Sequence, residues 1–387
     1  MRVTAIKTFL CHAYRCNWVF VKVLTDEGLY GVGEATLEMR ELTVAQAVQE
    51  LERQLVGKDP RAIEAFWHQA YRDAYWRGGP VLMSALAGVE MALWDIKGKA
   101  LGVPVYELLG GPVRQEVDCY ANGWFAGAKT AEQFAAKARQ AVEAGFRALK
   151  WDPFGSAYMN LSREEFARAI ECVEAVADAV QGRADLLIEG HGRFNIPTAV
   201  RFGRALERLE PLWFEEPVPP DNWDALAEVK RRIRIPVAAG ERMYSRWDYR
   251  SFLAKGCADF VQPDVSHAGG IMEMKKIAAM AECYYLPFCP HNPSGPVANA
   301  ATLQLAACIP NFYLLETMAS DVPYRTEICT EKVQFQNGKM AIPSSPGLGI
   351  DLCEEAIQAH PYQPRELRHY RGDLTEIRPP DAGPFWK

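Results

Sequence analysis

Six ionisable residues in the middle of the chain recur in register. Glu189 closes the apolar run DLLIE and Glu215 closes PLWFE. Glu241 follows IPVAAG, Asp264 closes DFVQPD, His291 follows YLPFCP and Glu316 closes FYLLE. Successive members lie 26, 26, 23, 27 and 25 residues apart. About 25 residues make one strand, one helix and two short loops. An ionisable group therefore stands once per strand–helix unit, at the carboxyl end of the strand, the end where α/β barrels build their active sites. Lys150 closes RALKW one unit earlier. Acidic residues after strands also suit helix N-termini. That plainer reading accounts for one such residue, not for six in phase with an apolar strand ahead of each.

The residue types define a chemistry. Glu189, Glu215 and Glu241 converge on one point at a barrel mouth, and three negative charges so close repel unless a cation neutralises them. All-oxygen ligation suits a hard ion, Mg²⁺ before Ca²⁺ or Mn²⁺. No histidine or cysteine joins the set at ligand spacing, which argues against zinc. His191 lies two residues beyond Glu189, so on a strand it shares that face. Asp264 precedes His291 by one unit, and an aspartate beside a histidine fixes its tautomer and raises its basicity. Lys150 approaches from the other side. Two histidines, a lysine and a carboxylate metal site make a proton-transfer apparatus. The remaining histidines read as ordinary residues, His12 and His68 early in the chain and His360 and His369 in the tail; His267, in the loop SHAGG, is the one rival that could touch substrate.

Elements of two kinds must position these groups. Residues 1–35 read as three strands, with Asp26-Glu27-Gly28 a hairpin turn between apolar runs. Helical patterns follow over 43–56, 61–76 and 82–101. From about residue 118 short apolar runs alternate with amphipathic helices such as TAEQFAAKARQAVEAG and IMEMKKIAAMAECY, the pattern of βαβ units around a parallel sheet. Eight such runs predict a closed barrel. The alternation ends after residue 320. The expected organisation is an α+β domain over 1–117, a barrel over 118–320, and a segment over 321–387 that returns to the first domain. The chain of 387 residues suits that plan. A net charge of -6 argues against nucleic acid or an anionic membrane as partner. No run of about 18 apolar residues predicts a membrane span, and the start MRVTAIKTFL reads as a strand rather than a signal peptide. The ten cysteines are scattered without CxxC pairs, as expected of reduced, mostly buried thiols in a cytoplasmic protein.

These residues lie in blocks that resemble the enolase superfamily and, within it, the mandelate racemase-like sugar-acid dehydratases of the galactonate and gluconate type. The blocks are DEGLYGVGEA and WRGGPVLMSALAGVEMALWDIKGKALGVPVYELLGG in the first part, ALKWDPFG, EGHGRFN, WFEEPVPPDN, PVAAGERMYS, VQPDVSHAGGI and PHNPSGP in the barrel, and PGLGID in the tail. The resemblance implies a modified TIM barrel, (β/α)7β, under an N-terminal α+β capping domain completed by the C-terminal segment. It implies Mg²⁺, with Mn²⁺ as a substitute, on Glu189, Glu215 and Glu241, with Glu215 rather than Glu216 at the first acid of the EEP element. Asp264 and His291 match the family's dyad, Glu316 the acid that hydrogen-bonds the substrate carboxylate, and His191 the additional histidine of the galactonate-type dehydratases. Three departures stand out. Glu189 replaces the usual aspartate. Lys150-Trp151-Asp152 stands where racemases carry Lys-x-Lys, which weakens a racemase reading. Asp264 stands where cycloisomerases use lysine.

The implied reaction is dehydration of an aldonate. His291, poised by Asp264, takes the C2 proton. His191 protonates the departing C3 hydroxyl, and the enol becomes a 2-keto-3-deoxy acid. Lys150 assists with the carboxylate. Arg15, Asn17, Trp18, Met39, Arg40, Trp76 and Arg77, in the cap's loops, are the residues expected to select the substrate, and Asp152 is counted with them. The partner implied is a small sugar acid, and the assembly a homo-oligomer built from dimers, up to an octamer. The rival readings are a racemase or epimerase of a 2-hydroxy acid, signalled by a product retaining every oxygen; a metal-dependent aldolase, signalled by pyruvate plus an aldehyde; and a non-catalytic barrel scaffold.

Overall fold

The computed structural model describes residues 1–330, 333–366, 376–384 and 386; His369 lies outside them. The chain opens with an antiparallel sheet, β1 (Val3–His12), β2 (Asn17–Thr25) and β3 (Tyr30–Glu34), in sequence order. Three helices follow: α1 (Glu41–Leu55), α2 (Ile63–Arg72) and α3 (Pro80–Leu101). Pro80 sits in the first turn of α3, where its missing N–H removes no hydrogen bond. Almost every side chain of α3 from Met83 to Ile96 is buried, because the helix is sandwiched between the sheet and the barrel. Close approach to β3 requires glycine: a Cβ added at Gly33 would lie 1.9 Å from the Gly88 carbonyl oxygen. A short helix, α4 (Val105–Leu108), leads to the barrel.

The barrel alternates strand and helix: β4 (Glu116–Asn122), α5 (Ala131–Glu143), β5 (Ala148–Trp151), α6 (Arg163–Val180), β6 (Asp185–Glu189), α7 (Ile196–Leu206), β7 (Trp213–Glu215), α8 (Trp223–Arg232), β8 (Val237–Ala239), α9 (Arg246–Ala254), β9 (Phe260–Val261), α10 (Ile271–Glu282), α11 (Pro296–Ala307) and β10 (Leu315–Met318). β4 to β9 pair in parallel in sequence order, and β10 pairs in parallel with β4. Between β9 and β10 the run YLPFCPH makes only single bridges, Phe288 pairing with Val261 on one side and Phe312 on the other. Those bridges close the circle. The result is a modified TIM barrel whose seventh stave is held by single residues rather than a ladder. Glu316 is the second residue of β10, not its end, because the strand begins three residues later than the apolar run FYLLE.

The later chain touches both parts. β11 (Phe335–Gln336) and β12 (Lys339–Ala341) form a hairpin, and β12 adds antiparallel to β4, so this stretch extends the barrel sheet rather than the first domain. Beyond it Gly347 bridges Pro104 and Pro361 bridges Cys11, after α12 (Glu354–Ala359), which lays the chain along the first sheet. Eight of the ten cysteines are buried, and none of the ten is in a disulfide. Among the described residues no helix is long and apolar enough to cross a membrane.

Buried carboxylates of the first domain cap barrel helices. Glu34 accepts from the backbone amides of Gly295 (2.6 Å) and Ala298 (2.9 Å) at the start of α11. Glu90 on α3 accepts from Ile271 (2.8 Å) and Met272 (2.9 Å) at the start of α10, and from the Trp94 indole (2.7 Å). The donors are amides that a helix leaves unpaired at its N-terminus. Burial nonetheless dominates at Glu90 and raises its carboxyl from 4.5 to about 7, against the lowering effect of the two amides. A raised carboxyl binds a proton on folding, so its contribution to stability is present below pH 4.5 and is lost as pH rises through about 7. Glu90→Gln keeps an acceptor oxygen and removes the charge. Its stability relative to the parent should therefore rise by up to about 3 kcal/mol between about pH 5 and about pH 8. Denaturant unfolding at the two pH values measures this; a constant difference would show that Glu90 does not titrate across the window.

Candidate active site

The barrel interior contains one apolar layer: Tyr120, Ala148, Leu187, Trp213, Ala238, Cys289 and Leu314, one from each of seven staves. Side chains two apart on a strand share a face. Two residues further on stand Asn122, Lys150, Glu189, Glu215, Gly240, His291 and Glu316. The strand period thus lifts an apolar plug into a polar ring on its carboxyl side. Glu241 escapes the two-residue rule by one position. Gly240, at φ +147°, turns the chain there, and a Cβ would lie 2.8 Å from the Gln262 amide nitrogen. The Trp213 indole in the plug donates to Glu215 Oε2 at 2.8 Å, and Gln262 Nε2 donates to the same oxygen at 2.8 Å.

Glu189, Glu215 and Glu241 each place a carboxylate oxygen within 4.8 Å of the others'. Lys150 lies against the cluster, with Nζ 2.7 Å from Glu215 Oε1, 2.9 Å from Glu316 Oε1 and 3.6 Å from Glu189 Oε2. These anions outweigh burial and hold the ammonium well above its ordinary value. One lysine does not satisfy the set. Glu189 Oε2 is buried without a hydrogen-bond partner, and burial, then Glu215, pushes Glu189 well above the ordinary carboxylate range. Burial also opposes charge on Glu241, but His291, Lys150, Arg242 and His191 together hold it well below that range. An orphaned buried oxygen in a cluster of three carboxylates is the arrangement a hard divalent cation fits.

Two histidines flank the cluster on matching supports. His291 Nδ1 lies 2.7 Å from Asp264 Oδ2, and Asp264 Oδ1 accepts the Ser266 amide at 2.7 Å. His291 Nε2 faces Glu241 Oε2 at 3.4 Å. Burial lowers His291, but Glu241, Glu316 and Asp264 outweigh it and raise the ring to about 10. The acid–base state of His291 is therefore tied to whatever neutralises Glu241. His191 Nδ1 lies 2.6 Å from Asp152 Oδ2, and Asp152 Oδ1 accepts the Phe154 amide at 2.9 Å. Glu316 is fully buried. Its oxygens accept from Asn122 (2.8 Å), Lys150 and the Asn292 amide (2.9 Å). It stands between the two cavity residues Lys150 and His291, whose Nε2 lies 4.0 Å from Glu316 Oε2.

Above the ring lies a cavity of about 210 Å³ bordered by Lys150, His191, Glu241 and His291 from the barrel and by Arg15, Glu38 and Met39 from the first domain. Arg15 and Met39 therefore stand where the sequence put them. The other cap residues expected at the substrate do not. Asn17 is buried and pins the tail, exchanging hydrogen bonds with the Gln363 backbone at 2.9 and 3.0 Å. Trp18 is core, under the Arg325 guanidinium. Arg40 is exposed and donates to the carbonyl of Met39. Trp76 and Arg77 are exposed on the 73–79 loop, away from the barrel mouth; Trp76 is 81% accessible. Asp152 is buried and its oxygens are engaged by His191, Arg193 and the Phe154 amide.

Several residues escaped the sequence reading. Asn122 and Gln262 belong to the polar ring, and the two-residue step from Tyr120 and Phe260 could have found them. Arg242 borders the cavity and pairs with Glu216, whose carboxyl burial raises to about 7. His267, the rival histidine of the loop SHAGG, borders the cavity too, with Nδ1 3.0 Å from Ser84 Oγ and Nε2 3.8 Å from Asp264 Oδ2. Only the fold brings Ser84 to it.

The chain matches the family model for the mandelate racemase / muconate lactonizing enzyme N-terminal domain over residues 3–110 and that for the enolase C-terminal domain-like fold over 133–356. It is 41% identical to a D-galactonate dehydratase of Variovorax paradoxus, over 94% of this chain and 98% of that one. It is 35% identical to a D-gluconate dehydratase of Thermoproteus tenax, over 90% and 71%. Among solved structures, an enolase superfamily member from Salmonella Typhimurium superposes with a TM-score of 0.89 at 33% identity, covering 93% of this chain and 98% of that one. A mandelate racemase/muconate lactonizing enzyme from Sulfitobacter does so with 0.89 at 32%, covering 94% and 96%. With both domain models matched and such identity along nearly its whole length, the chain belongs to the enolase superfamily, in the group of mandelate racemase and muconate lactonizing enzyme.

Proposed function

We propose that the chain is a magnesium-dependent hydro-lyase that converts an aldonate to its 2-keto-3-deoxy acid. The observation that carries this reading is the pair of aspartate-supported histidines, His291 on Asp264 and His191 on Asp152, opening on one cavity beside a three-carboxylate cluster. Elimination of water next to a carboxylate needs a base for the C2 proton and an acid for the C3 oxygen, and two such groups suit it. The D-galactonate and D-gluconate dehydratases similar to this chain support an aldonate as substrate.

Glu189, Glu215 and Glu241 would hold Mg²⁺, which when bound supplies electrostatic stabilisation for the charge that develops on the substrate carboxylate as C2 is deprotonated. Lys150 adds positive charge on the same side and balances Glu215 and Glu316. His291 Nε2 accepts the C2 proton while Asp264 holds the opposite ring nitrogen. The electron pair from that C–H bond is first delocalised onto the substrate carboxylate, and in a second step it becomes the C2–C3 double bond as the C3–O bond breaks. His191 delivers a proton to the leaving oxygen, which departs as water, and the enol gains a proton at C3 on ketonisation. Arg15 and Met39 bound the far end of the substrate from the cap.

Incubation with Mg²⁺ and a panel of four- to six-carbon sugar acids should give a 2-keto acid, trapped as a coloured carbonyl adduct, from one or two members, and EDTA should abolish it. A product retaining every oxygen would replace dehydration with epimerisation. His291→Asn should lower both turnover and exchange of the C2 proton with solvent deuterium by about 10²–10⁴. His191→Asn should lower turnover by a similar factor while exchange falls much less; equal losses in the two variants would remove the division of roles. Glu215→Gln should weaken Mg²⁺ binding about tenfold or more, read by calorimetry without substrate. Unchanged binding would move the ion elsewhere.

A further inference from the structure

The two histidine supports share one construction. In each, an aspartate pins its Oδ1 on the backbone amide two residues ahead, Phe154 for Asp152 and Ser266 for Asp264, and offers Oδ2 to a histidine Nδ1. In each, a second basic side chain lies against that same Oδ2: Arg193 at Asp152 and His267, at 3.8 Å, at Asp264. The Asp264 support serves the proposed base. Its twin at Asp152 faces the proposed acid and carries in addition a buried guanidinium, Arg193.

The Asp152 side is the more rigid of the two. Arg193 is completely buried, and its guanidinium donates to the carbonyls of Gly190 (3.1 Å), Gly155 (2.9 Å) and Ala157 (3.2 Å) as well as to Asp152. This planar fork ties the loop after β5 to the loop after β6 and fixes the carboxylate from behind. A carboxylate is an acceptor only, so the histidine nitrogen facing it must donate. His191 is also constrained through its backbone. It sits at φ +48°, in the left-handed region, and its amide donates to Glu189 Oε1 at 2.6 Å. Nδ1 faces Asp152, and the His191 ring borders the cavity.

We propose that Asp152 and Arg193 are positioning residues that hold His191 in the tautomer and orientation needed to hand its Nε2 proton to the departing hydroxyl. This rests on the dehydratase reading above. It also accounts for an acidic residue where a racemase carries its second lysine: the position has become the support of an acid instead of a base. As the C3–O bond breaks, the Nε2 proton passes to the oxygen, water leaves, and the electron pair released at C2 closes the C2–C3 double bond.

The test is Asp152→Asn, whose amide can present a donor to Nδ1 and invert the tautomer. Dehydration should fall at least about 100-fold, as expected for a misplaced tautomer, while the ratio of C2-proton exchange to dehydration rises at least about tenfold. Arg193→Lys, which keeps the charge and loses the fork, should move that ratio the same way by less. A purely structural role would lower exchange and dehydration together and leave the ratio where it was, and that result overturns the proposal, as does full dehydration in Asp152→Asn. Nitrogen NMR of the His191 imidazole should show the proton of the neutral ring switched from Nδ1 to Nε2 in Asp152→Asn relative to the parent. If wild-type protein exchanges the C2 proton but yields no keto acid, the dehydratase reading fails on its own. The imidazole tautomer then decides the positioning claim, and a tautomer unchanged in Asp152→Asn overturns it.

Discussion

The crowding of like charge at the barrel mouth is the constraint on which the rest of the structure depends. Three carboxylate oxygens within 4.8 Å of one another repel by about 3 kcal/mol per pair or more at an effective dielectric of about 20. A flexible loop would relieve that repulsion by moving. Strands cannot: Glu189 and Glu215 stand two residues beyond side chains packed in the barrel plug and Glu241 three beyond another, and neighbouring strands are tied by hydrogen bonds. Lys150 and the donors on Glu215 relieve part of the strain. The unpartnered Glu189 Oε2 marks what remains. The site is preorganised for a cation because the scaffold refuses to relax.

The same rigidity made the catalytic side legible in the sequence. A strand fixes a side chain's direction with a period of two, and a βα unit has a nearly constant length. Residue type and spacing alone therefore place Glu189, Glu215, Glu241, Asp264 and His291 on one rim. The substrate-facing residues of the first domain obey no such rule. Arg15 and Met39 reach the cavity while Asn17, Trp18 and Arg40, one to three positions away, do not, because loop geometry and the docking of one domain on the other decide between neighbours. The surroundings of Asp152 were hidden in the sequence for a related reason. Its partner Arg193 comes from the next strand's loop, and nothing local signals a buried guanidinium waiting there.

Tertiary contacts also override strand propensity near the end of the barrel. The run YLPFCPH has the composition of a strand but keeps only single bridges at Phe288, since Pro287 and Pro290 each lack the N–H a continuous ladder needs. His291 follows directly. Its ring is held by Asp264, and the chain on either side of it runs into α10 and α11.

Those two helices begin on carboxylates that belong to the first domain, Glu90 for α10 and Glu34 for α11. The cap is therefore more than a lid whose loops choose a substrate. It completes two helix ends of the barrel, and those helices bracket the proposed base. Domain exchange within such a fold is correspondingly restricted. A first domain borrowed from a relative could bring new loops freely, but only with acceptors at these two points, or the barrel would inherit unpaired amides beside its own chemistry. Specificity can drift in the loops of the cap while its sheet and central helix remain bound to the barrel they serve.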